Sequence, residues 1–480
     1  MRNLPWFLFL LCACVRNPAT GKLQLDLIPE SQEIEMGQQA KQEVIQTMGI
    51  YRDPKLEQYV ADLGKPLAAN SGRPNLPFSY MIVEDAAVNA FALPGGPIFI
   101  TRGILGHLNS EAELVAVMGH ETGHISARHS ANMLSKAQLA QVGLGIASIV
   151  SPTMAQLAQV AGAGMQLLFL QFSRTDETQA DEMGFRFMTK AGYDPRQMIG
   201  LFQMLGGLGV ESAGGASAGK LPEWAQTHPI PEHRLEATQE RLKTELKGDP
   251  STLRVDREKY LSMIDGIPFG DDPRQGYFKG DTFLHPELKF QIELPKGWQH
   301  ENTPQAVVAV SPQQDAMMQL ASAGKLSPQE AAQKFFSQQG VKQGAAAQGT
   351  IHGSSAVSAY FAGTTQQGPI EGLATFLAHQ GTTYAIFGYT AAGKEQSYDQ
   401  TFRASMGSFA TLSDSAALNV QPARVKVVHL DRAMSVKEFT GAYPSSVKPE
   451  VVALLNGVDK DGTLQAGPAK QIVGGVSAQK

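Results

Sequence analysis

The chain has 480 residues and a formal net charge of −5 at pH 7, from 40 lysines and arginines against 45 aspartates and glutamates. This length predicts two to four domains, each with enough apolar residues for its own core. The weak acidity and the lack of a dense basic run exclude nucleic acid as the main partner, because phosphate binding needs clustered lysine and arginine.

The N-terminus, MRNLPWFLFLLCAC, has one basic residue and a short apolar run that ends at Cys14. The run is too short to span a bilayer and is typical of a secretory signal. Leu11-Cys12-Ala13-Cys14 resembles a bacterial lipobox, whose last cysteine is lipidated after cleavage. We therefore predict a leader over 1–14 and an exported, periplasmic protein that is attached to the outer membrane only by a lipid on Cys14. A plain signal peptide or a misassigned start codon is the alternative.

The residues after the leader predict helices and then two strands. Residues 30–70 are polar and carry a partial apolar stripe, which indicates helix. LPFSYMIVED (76–85) and AFALPGGPIFIT (90–101) are rich in aromatic and β-branched residues and are bounded by proline or glycine. They predict two strands, and Pro94-Gly95-Gly96 predicts a hairpin turn within the second segment.

A capping box, Ser110 followed by Glu113, predicts the start of a helix that contains AVMGHETGHISARH (116–129). His120 and His124 are four residues apart. Since four residues advance a helix by about 400°, they share one face and lie ~6 Å apart along the axis. Two imidazole nitrogens placed in this way can bind one metal ion.

Glu121 lies about 100° around the helix from His120. In this position its carboxylate can contact a zinc-bound water and take the proton as general base, because zinc lowers the pKa of that water toward about 7. The alternative is a helix with two solvated histidines, since the motif alone is only suggestive.

The segment 131–172 is rich in alanine, glycine and methionine. Gln141 and Pro152 interrupt its apolar residues, so buried helices are favoured over a membrane span. Further along, GGLGVESAGGASAGK (206–220) predicts a mobile loop.

A catalytic zinc needs a third protein ligand and an open position. SRTDETQADEMGFRF (173–187) predicts a helix in which Glu177 and Asp181 share one face. Glu177 can bind the metal, while Asp181 can accept the other ring N–H of a ligand histidine and thereby fix its tautomer. The alternative is a solvated face for Glu177 and a surface salt bridge for Asp181, but the occurrence of the two residues together favours the metal site.

Four linked segments resemble a known family. HETGH followed by SRTDETQAD, together with NAFALPGGPIFIT (89–101) and THPIPEHR (227–234), is similar to the zinc metallopeptidase family that contains the CAAX prenyl proteases, HtpX and BepA. The resemblance covers about residues 28–260 and points to the soluble, exported branch. It implies a mainly α, gluzincin-type domain of α+β class with a small edge sheet and one Zn²⁺ per chain. It also implies site residues, namely the zinc ligands His120, His124 and Glu177, the catalytic base Glu121, and Asp181 behind a ligand histidine.

His228, within THPIPEHR, matches a histidine that reaches the metal site in relatives. Two roles are open to it: catalytic stabilisation of the oxyanion, or occupation of the fourth zinc position. Because His228 follows the loop predicted over 206–220, we hypothesise a lid that gates the site. A loop histidine held by Pro229 is the alternative. Arg234 either pairs with a site carboxylate or lies at the surface.

A further prediction concerns substrate binding. An edge strand beside the metal can bind an extended peptide by strand addition, through main-chain hydrogen bonds. The residues predicted to do so are Asn89, Ala90, Phe91 and Ala92. An ordinary hairpin is the alternative, and both can hold. The remaining histidines of this half, His107, His129 and His233, are interpreted as ordinary helix or loop residues.

The C-terminal half offers no catalytic constellation. Residues 266–415 predict an α+β domain, and HPELKFQIELPKGW within it resembles the PsbP-like fold. Residues 424–475 resemble a small βααβ LysM module. In this module DRAMS replaces the usual Gly-Asp-Thr, so glycan binding does not follow. The peptidase domain is predicted over 15–265.

The sequence therefore predicts a zinc metalloendopeptidase that hydrolyses misfolded or unassembled envelope proteins. Its predicted partners are unfolded substrates, the outer-membrane assembly machinery, and peptidoglycan through 424–475. One alternative is a chaperone-like assembly factor for outer-membrane proteins with latent proteolysis. Another is a peptidoglycan-associated scaffold.

Overall fold

The computed structural model describes residues 14–17, 20–21, 23–141, 171–214, 224, 228, 232–365 and 368–475. The leader before Cys14, most of the alanine-rich segment and the end of the predicted loop lie outside the described residues. The chain divides into two compact units, Met1–Asp271 with Ala423–Val473 and Asp272–Pro422 with Gly474–Lys480. Within the described residues, no helix has the length and apolar character needed to cross a membrane.

The first unit is mainly helical. Its helices are Glu30–Met48 (α1), Pro54–Asn70 (α2), Arg102–His107 (α3), Glu111–Ala127 (α4), His129–Gln141 (α5), Arg174–Lys190 (α6), Gln197–Gly214 (α7), Glu232–Thr244 (α8) and Arg257–Ile264 (α9). Its first strands are Cys14–Arg16 (β1), Leu23–Leu25 (β2), Ser79–Val83 (β3), Ala90–Ala92 (β4) and Pro97–Thr101 (β5). The predicted helices and strands up to residue 190 are therefore present wherever the structure describes them.

A small sheet has the order β3-β5-β4, in which β5 runs parallel to β3 and antiparallel to β4. The turn between β4 and β5 needs glycine, since Gly95 has φ +73° and a Cβ there would lie 2.5 Å from Ile34 Cα. The predicted hairpin is confirmed, and β4 lies at the edge of this sheet.

Helix α4 is buried along its whole length. Ser110 Oγ accepts a hydrogen bond from the Glu113 N–H at 3.1 Å, as predicted. The capping box is not reciprocal, however, because Glu113 Oε2 accepts from the Asn109 N–H instead of from Ser110. The hydrogen bond from Asn109 to Glu113 connects the loop before α4 to the first turn of this helix.

Helices α4 and α6 approach closely because small residues face each other. A Cβ at Gly123 would lie 2.8 Å from Ala180 O, and a Cβ at Gly184 would lie 2.9 Å from His120 N. Any larger side chain at these glycines would separate the two helices. The close contact brings the metal-binding residues predicted on each helix to one place.

The C-terminal part of the first unit runs strand, helix, helix, strand. Its main elements are Ala423–Leu430 (β17), Val436–Ala442 (α13), Pro449–Leu455 (α14) and Gly467–Gly474 (β20), with the short strands Met434–Ser435 (β18) and Thr463–Leu464 (β19). Strand β17 pairs with β20. Val425, Leu455 and Ile472 join the main core of this unit. The segment has the predicted βααβ order, while its likeness to LysM stays a prediction.

The second unit is built around an antiparallel seven-stranded sheet with the order β12-β13-β14-β15-β11-β10-β9. Its strands are Gln299–Asn302 (β9), Ala306–Val310 (β10), Ala316–Gly324 (β11), Lys342–Ile351 (β12), Ser354–Thr365 (β13), Gly368–His379 (β14) and Thr382–Ala391 (β15). A four-stranded sheet contains Tyr277–Lys279 (β6), Thr282–His285 (β7), Phe290–Glu293 (β8) and Ala410–Thr411 (β16). The helices are Pro328–Phe336 (α10), Glu395–Gly407 (α11) and Ser415–Leu418 (α12).

One expectation about the backbone is wrong. Residues 206–220 were expected to form a loop, but α7 continues through Gly214. The first half of this helix buries Met198, Leu201 and Phe202 in the core. That packing offsets the low helix propensity of the glycines that follow, because helical stability in proteins comes mainly from tertiary contacts. Residues 215–220 lie outside the described part of the chain.

Candidate metal centre

Four buried side chains converge in the first unit. His120 and His124 come from α4, Glu177 comes from α6, and His228 lies between α7 and α8. One ligand atom from each lies within 4.8 Å of the other three. The structure therefore places the three predicted ligands together and adds His228 to them.

These atoms lie close enough together for one ion to contact all four side chains. His120 Nε2 lies 3.0 Å from His124 Nε2 and 3.4 Å from His228 Nδ1. Glu177 Oε2 lies 3.5 Å from His120 Nε2, and Oε1 lies 3.4 Å from His124 Nε2. Four ligands at about 2.0–2.1 Å from a tetrahedral zinc ion are about 3.3–3.4 Å from one another.

The chemistry of the donors also fits a cation. Glu177 Oε1 lies 2.9 Å from His228 Nδ1, and Glu177 is fully buried. The neighbouring Glu121 is buried as well, and neither of its carboxylate oxygens has a hydrogen-bond partner among the described residues. Two buried carboxylates beside three imidazoles are costly without a compensating positive charge. Arg234 supplies one positive charge next to Glu177, and a divalent metal ion held by the four residues would supply the remainder.

Glu121 is placed beside the ligand cluster, as predicted from its position on α4. Burial raises the pKa of its carboxyl group above the ordinary value. Its Oε1 lies 3.7 Å from His228 Nε2. A carboxylate with a raised pKa and free oxygens is suited to accept and return a proton.

Asp181 lies behind His120. Its Oδ1 is 2.9 Å from His120 Nδ1, which leaves His120 Nε2 facing the other ligands. Arg234 contacts the same carboxylate through Nε and Nη2, each at 2.7 Å, and its Nη1 lies 3.1 Å from Glu177 Oε2. Burial opposes the charge on Asp181, but Arg234 lowers the pKa of its carboxyl group. Of the two options left open for Arg234, pairing with the site carboxylates is therefore the observed one.

His129, interpreted from the sequence as an ordinary residue, lies on α5 and contacts the ligand cluster. Its Nδ1 lies 2.9 Å from Nδ1 of His124, and its Nε2 lies 2.9 Å from Gln179 Oε1. Five residues separate His124 from His129, a spacing that does not share a face in a continuous helix. The contact exists because α4 ends at Arg128, whose φ of 59° turns the chain before α5 begins. His107 is also buried, with Nδ1 2.8 Å from Gly103 O, and it has no role in this cluster.

His228 is held by an aromatic residue that the sequence did not single out. The His228 N–H donates to Trp224 O at 2.7 Å, and the two rings stack with their centroids 5.0 Å apart. The backbone N–H of Trp224 donates to Val88 O at 3.3 Å. In the sequence, Trp224 is visible only as a tryptophan four residues before His228.

Of the predicted substrate-binding residues, Ala90, Phe91 and Ala92 form the edge strand β4 next to α4, and Asn89 directly precedes it. Asn89, Ala90 and Phe91 are buried and Ala92 is partly exposed. Asn89 O accepts hydrogen bonds from the Thr101 N–H and hydroxyl, so it is used within the hairpin. The carbonyl of Val88, two residues before this strand, accepts the hydrogen bond from the Trp224 backbone N–H. Peptide binding at the edge stays a prediction.

The predicted lipidation site lies at the first described residue. Cys14 belongs to β1 and pairs with Leu25 of β2, and nothing is described of its side chain. The β1–β2 hairpin is fixed to the C-terminal end of α4, since Asn17 Nδ2 donates to Ala127 O at 2.9 Å. Lipidation of Cys14 stays a prediction.

Comparison with solved structures gives only a weak likeness. The solution structure of cyanobacterial PsbP from Synechocystis sp. PCC 6803 matches with a TM-score of 0.24 and 13% identity, over 27% of this chain and 91% of that chain. The PsbP-like fold of 266–415 therefore stays a prediction.

Comparison with families and curated proteins is more specific. Residues 54–242 match the model of Peptidase family M48. The chain is 30% identical to the beta-barrel assembly-enhancing protease of Yersinia pestis over 234 residues, which are 47% of this chain and 46% of that protein. It is 35% identical to the mitochondrial metalloendopeptidase OMA1 of Arabidopsis thaliana over 168 residues, which are 34% and 32% of the two chains. The chain spans about half the length, or less, of these two relatives.

Proposed function

We propose that the protein is a zinc metalloendopeptidase with one zinc ion per chain, and the match of residues 54–242 to the model of peptidase family M48 supports this proposal. His120, His124 and Glu177 hold the zinc, and Glu121 is the catalytic base. The observation that carries this proposal is the ligand cluster with the Glu121 carboxylate beside it, since both Glu121 oxygens are buried and lack a hydrogen-bond partner among the described residues.

Each residue has a defined task in peptide hydrolysis. When bound, zinc acts as a Lewis acid that polarises the peptide carbonyl and lowers the pKa of water. Glu121 takes the proton of the attacking water and delivers it to the leaving amine nitrogen. Asp181, fixed by Arg234, holds His120 in the tautomer whose Nε2 is free to bind the metal.

His228 has two tasks in this proposal. In the described structure its Nδ1 lies 3.4 Å from His120 Nε2, so it could hold the metal together with the other three residues and occupy a fourth position. For turnover it must yield that position to the substrate, after which it can stabilise the oxyanion. Trp224 moves with it in our proposal, and this releases Val88 O, two residues before the edge strand. An extended substrate can then add to Asn89–Ala92 through main-chain hydrogen bonds.

The cellular role is proposed from the leader and from the names of the relatives. We propose that the substrates are misfolded or unassembled envelope proteins, because the Yersinia pestis relative is named a beta-barrel assembly-enhancing protease. The lipobox supports export and a lipid anchor on Cys14, and thus a periplasmic location at the outer membrane. Contact with the assembly machinery, and with peptidoglycan through 424–475, belongs to the same proposal.

Cleavage of an unfolded protein tests the proposed activity. The wild-type protein should cleave casein, whereas Glu121→Gln should lose that activity and still bind zinc, because Glu121 is not a ligand in the proposal. The matched control is Glu84→Gln. Glu84 lies outside the cluster and pairs with Arg102, so this variant should retain cleavage. Equal cleavage by wild type and Glu121→Gln would refute the mechanism. Prevention of aggregation without cleavage would favour the chaperone-like alternative.

A further inference from the structure

We propose that His129 is a positioning residue that orients the zinc ligand His124 and fixes the proton on its ring. This inference rests on the proposed function, since it concerns a ligand of the same metal. The two Nδ1 atoms lie 2.9 Å apart, and the rings meet edge to face with centroids 4.9 Å apart. Both rings are buried.

The direction of the hydrogen bond follows from the neighbours of each ring. His124 Nε2 faces His120 and Glu177, so Nε2 is the metal-binding atom and the ring proton must lie on Nδ1. The His124 Nδ1–H can donate only to an atom without a proton. Nδ1 of His129 therefore accepts, and the single proton of that neutral ring lies on its Nε2.

Gln179 sets this tautomer of His129. Its Oε1 is an acceptor 2.9 Å from His129 Nε2, and Asp176 Oδ1 lies 3.6 Å from the same nitrogen. Both oxygens favour a proton on Nε2. The hydrogen bonds thus run in one direction, from His124 to His129 to Gln179. If Gln179 presented its amide nitrogen instead, the order would reverse and His124 would carry its proton on the metal-binding atom.

The two ligand histidines are consequently supported in different ways. His120 donates to a carboxylate, Asp181, whereas His124 donates to a neutral ring. A neutral acceptor orients the imidazole without adding negative charge to a cluster that already contains Glu121 and Glu177. Partners of this kind typically contribute a factor of about 10–100 to metal affinity.

The backbone is built to place His129. In a continuous helix a residue five positions on lies about 140° around the axis, away from His124. Arg128 breaks the helix with a left-handed conformation, which costs a non-glycine residue about 1 kcal/mol or more. Its guanidinium is anchored by Glu33 Oε2 at 2.9 Å and Ile28 O at 2.6 Å, and it pairs with Asp26. These buried contacts hold the turn that brings the two rings together.

Zinc affinity of the full-length protein tests the inference. The dissociation constant is measured by competition with a chromogenic chelator for wild type, His129→Leu, His129→Asn and His107→Leu. His129→Leu should bind zinc about 10–100-fold more weakly. His129→Asn should recover most of that loss, because Oδ1 of asparagine stands where Nδ1 accepts. His107→Leu, which removes another buried histidine outside the cluster, should bind zinc as wild type does.

Other outcomes separate the two proposals. If wild type binds no zinc, the proposed function itself fails. If wild type binds zinc and His129→Leu binds it equally well, or if His129→Asn loses as much affinity as His129→Leu, the positioning role is wrong. Should His129→Leu fail to fold, Gln179→Leu takes its place: it keeps both rings and removes the acceptor that fixes the proton. Unchanged zinc affinity in folded Gln179→Leu would equally overturn the inference.

Discussion

Arg234 donates two hydrogen bonds of 2.7 Å to the two carboxylate oxygens of Asp181, and both residues are almost completely buried. The same guanidinium also pairs with Glu177. One cation thus neutralises the carboxylate that orients His120 and contacts the carboxylate predicted to bind the metal.

We expect Arg234→Met to lower the free energy of unfolding by about 3 kcal/mol or more, because it leaves Asp181 buried without its partner. Urea denaturation of the purified variant measures this change. The control is Arg186→Met, which breaks half-exposed pairs with Glu182 and Glu245 and should cost no more than about 1 kcal/mol. Similar losses in both variants would show that burial of the Arg234 pair is unimportant.

The contact of α4 with α6 gives a second prediction. Gly123→Ala should reduce stability by about 1–3 kcal/mol and weaken zinc binding, because the new methyl group would lie 2.8 Å from Ala180 O and force the helices apart. Thermal unfolding and zinc competition report the two effects. Gly206→Ala is the control, since no atom lies within 4 Å of that position and the helix should gain up to about 1 kcal/mol. A neutral Gly123→Ala would contradict the close approach.

Lys470 links the C-terminal segment to the C-terminal end of α3, which precedes α4. Its fully buried Nζ donates to the carbonyls of Gly106, His107 and Leu108, at 3.1, 3.0 and 2.7 Å. Lys470→Met should cost at least about 2 kcal/mol, because three buried acceptors lose their donor. Thermal unfolding of Lys470→Met and of the exposed control Lys460→Met measures this. Equal melting temperatures would show that the segment contributes no stability through this contact.

Two buried histidines predict acid sensitivity. Burial lowers the pKa of His107 in the first unit and of His285 in the second unit from 6.5 to about 4. Between these values the unfolded chain binds a proton that the folded chain does not, so the free energy of unfolding falls as the pH decreases. Each histidine should contribute a loss of about 3 kcal/mol between pH 6.5 and pH 4.

Unfolding of His107→Asn across the same pH range tests this contribution. In this variant the part of the pH dependence that His107 contributes should be absent. Its free energy of unfolding should differ less from that of the wild type at pH 7 than its pH dependence does. An unaltered pH dependence would contradict the lowered pKa of His107 in the folded protein.

Local patterns predicted much of the site because its residues lie on regular helices. Once each helix is recognised, the four-residue spacing of His120 and His124 predicts that they share a helix face. The same spacing makes the same prediction for Glu177 and Asp181. The close approach of these helices could not be predicted from Gly123 and Gly184. In the sequence of one helix, a glycine indicates only low helix propensity. His129 was missed because the left-handed turn at Arg128 depends on Glu33 and Asp26, about 100 residues earlier.

Long-range contacts explain the other differences. The bond between Trp224 and Val88 spans well over a hundred residues, so no periodic pattern reveals it. The continuation of α7 through Gly214 depends on tertiary packing of its first half, which overrides the glycine-rich composition of its second half. The inclusion of 424–473 in the first unit likewise depends on Lys470 and on core residues such as Ile472.

The zinc content of the purified protein tests the central claim most directly. After incubation with zinc and removal of the excess, elemental analysis should find one zinc ion per chain in the wild type. His120→Ala should retain none above background, while the control His107→Ala should retain one. A wild-type protein without zinc, or a His120→Ala variant that keeps it, would contradict the metal centre on which the proposed function depends.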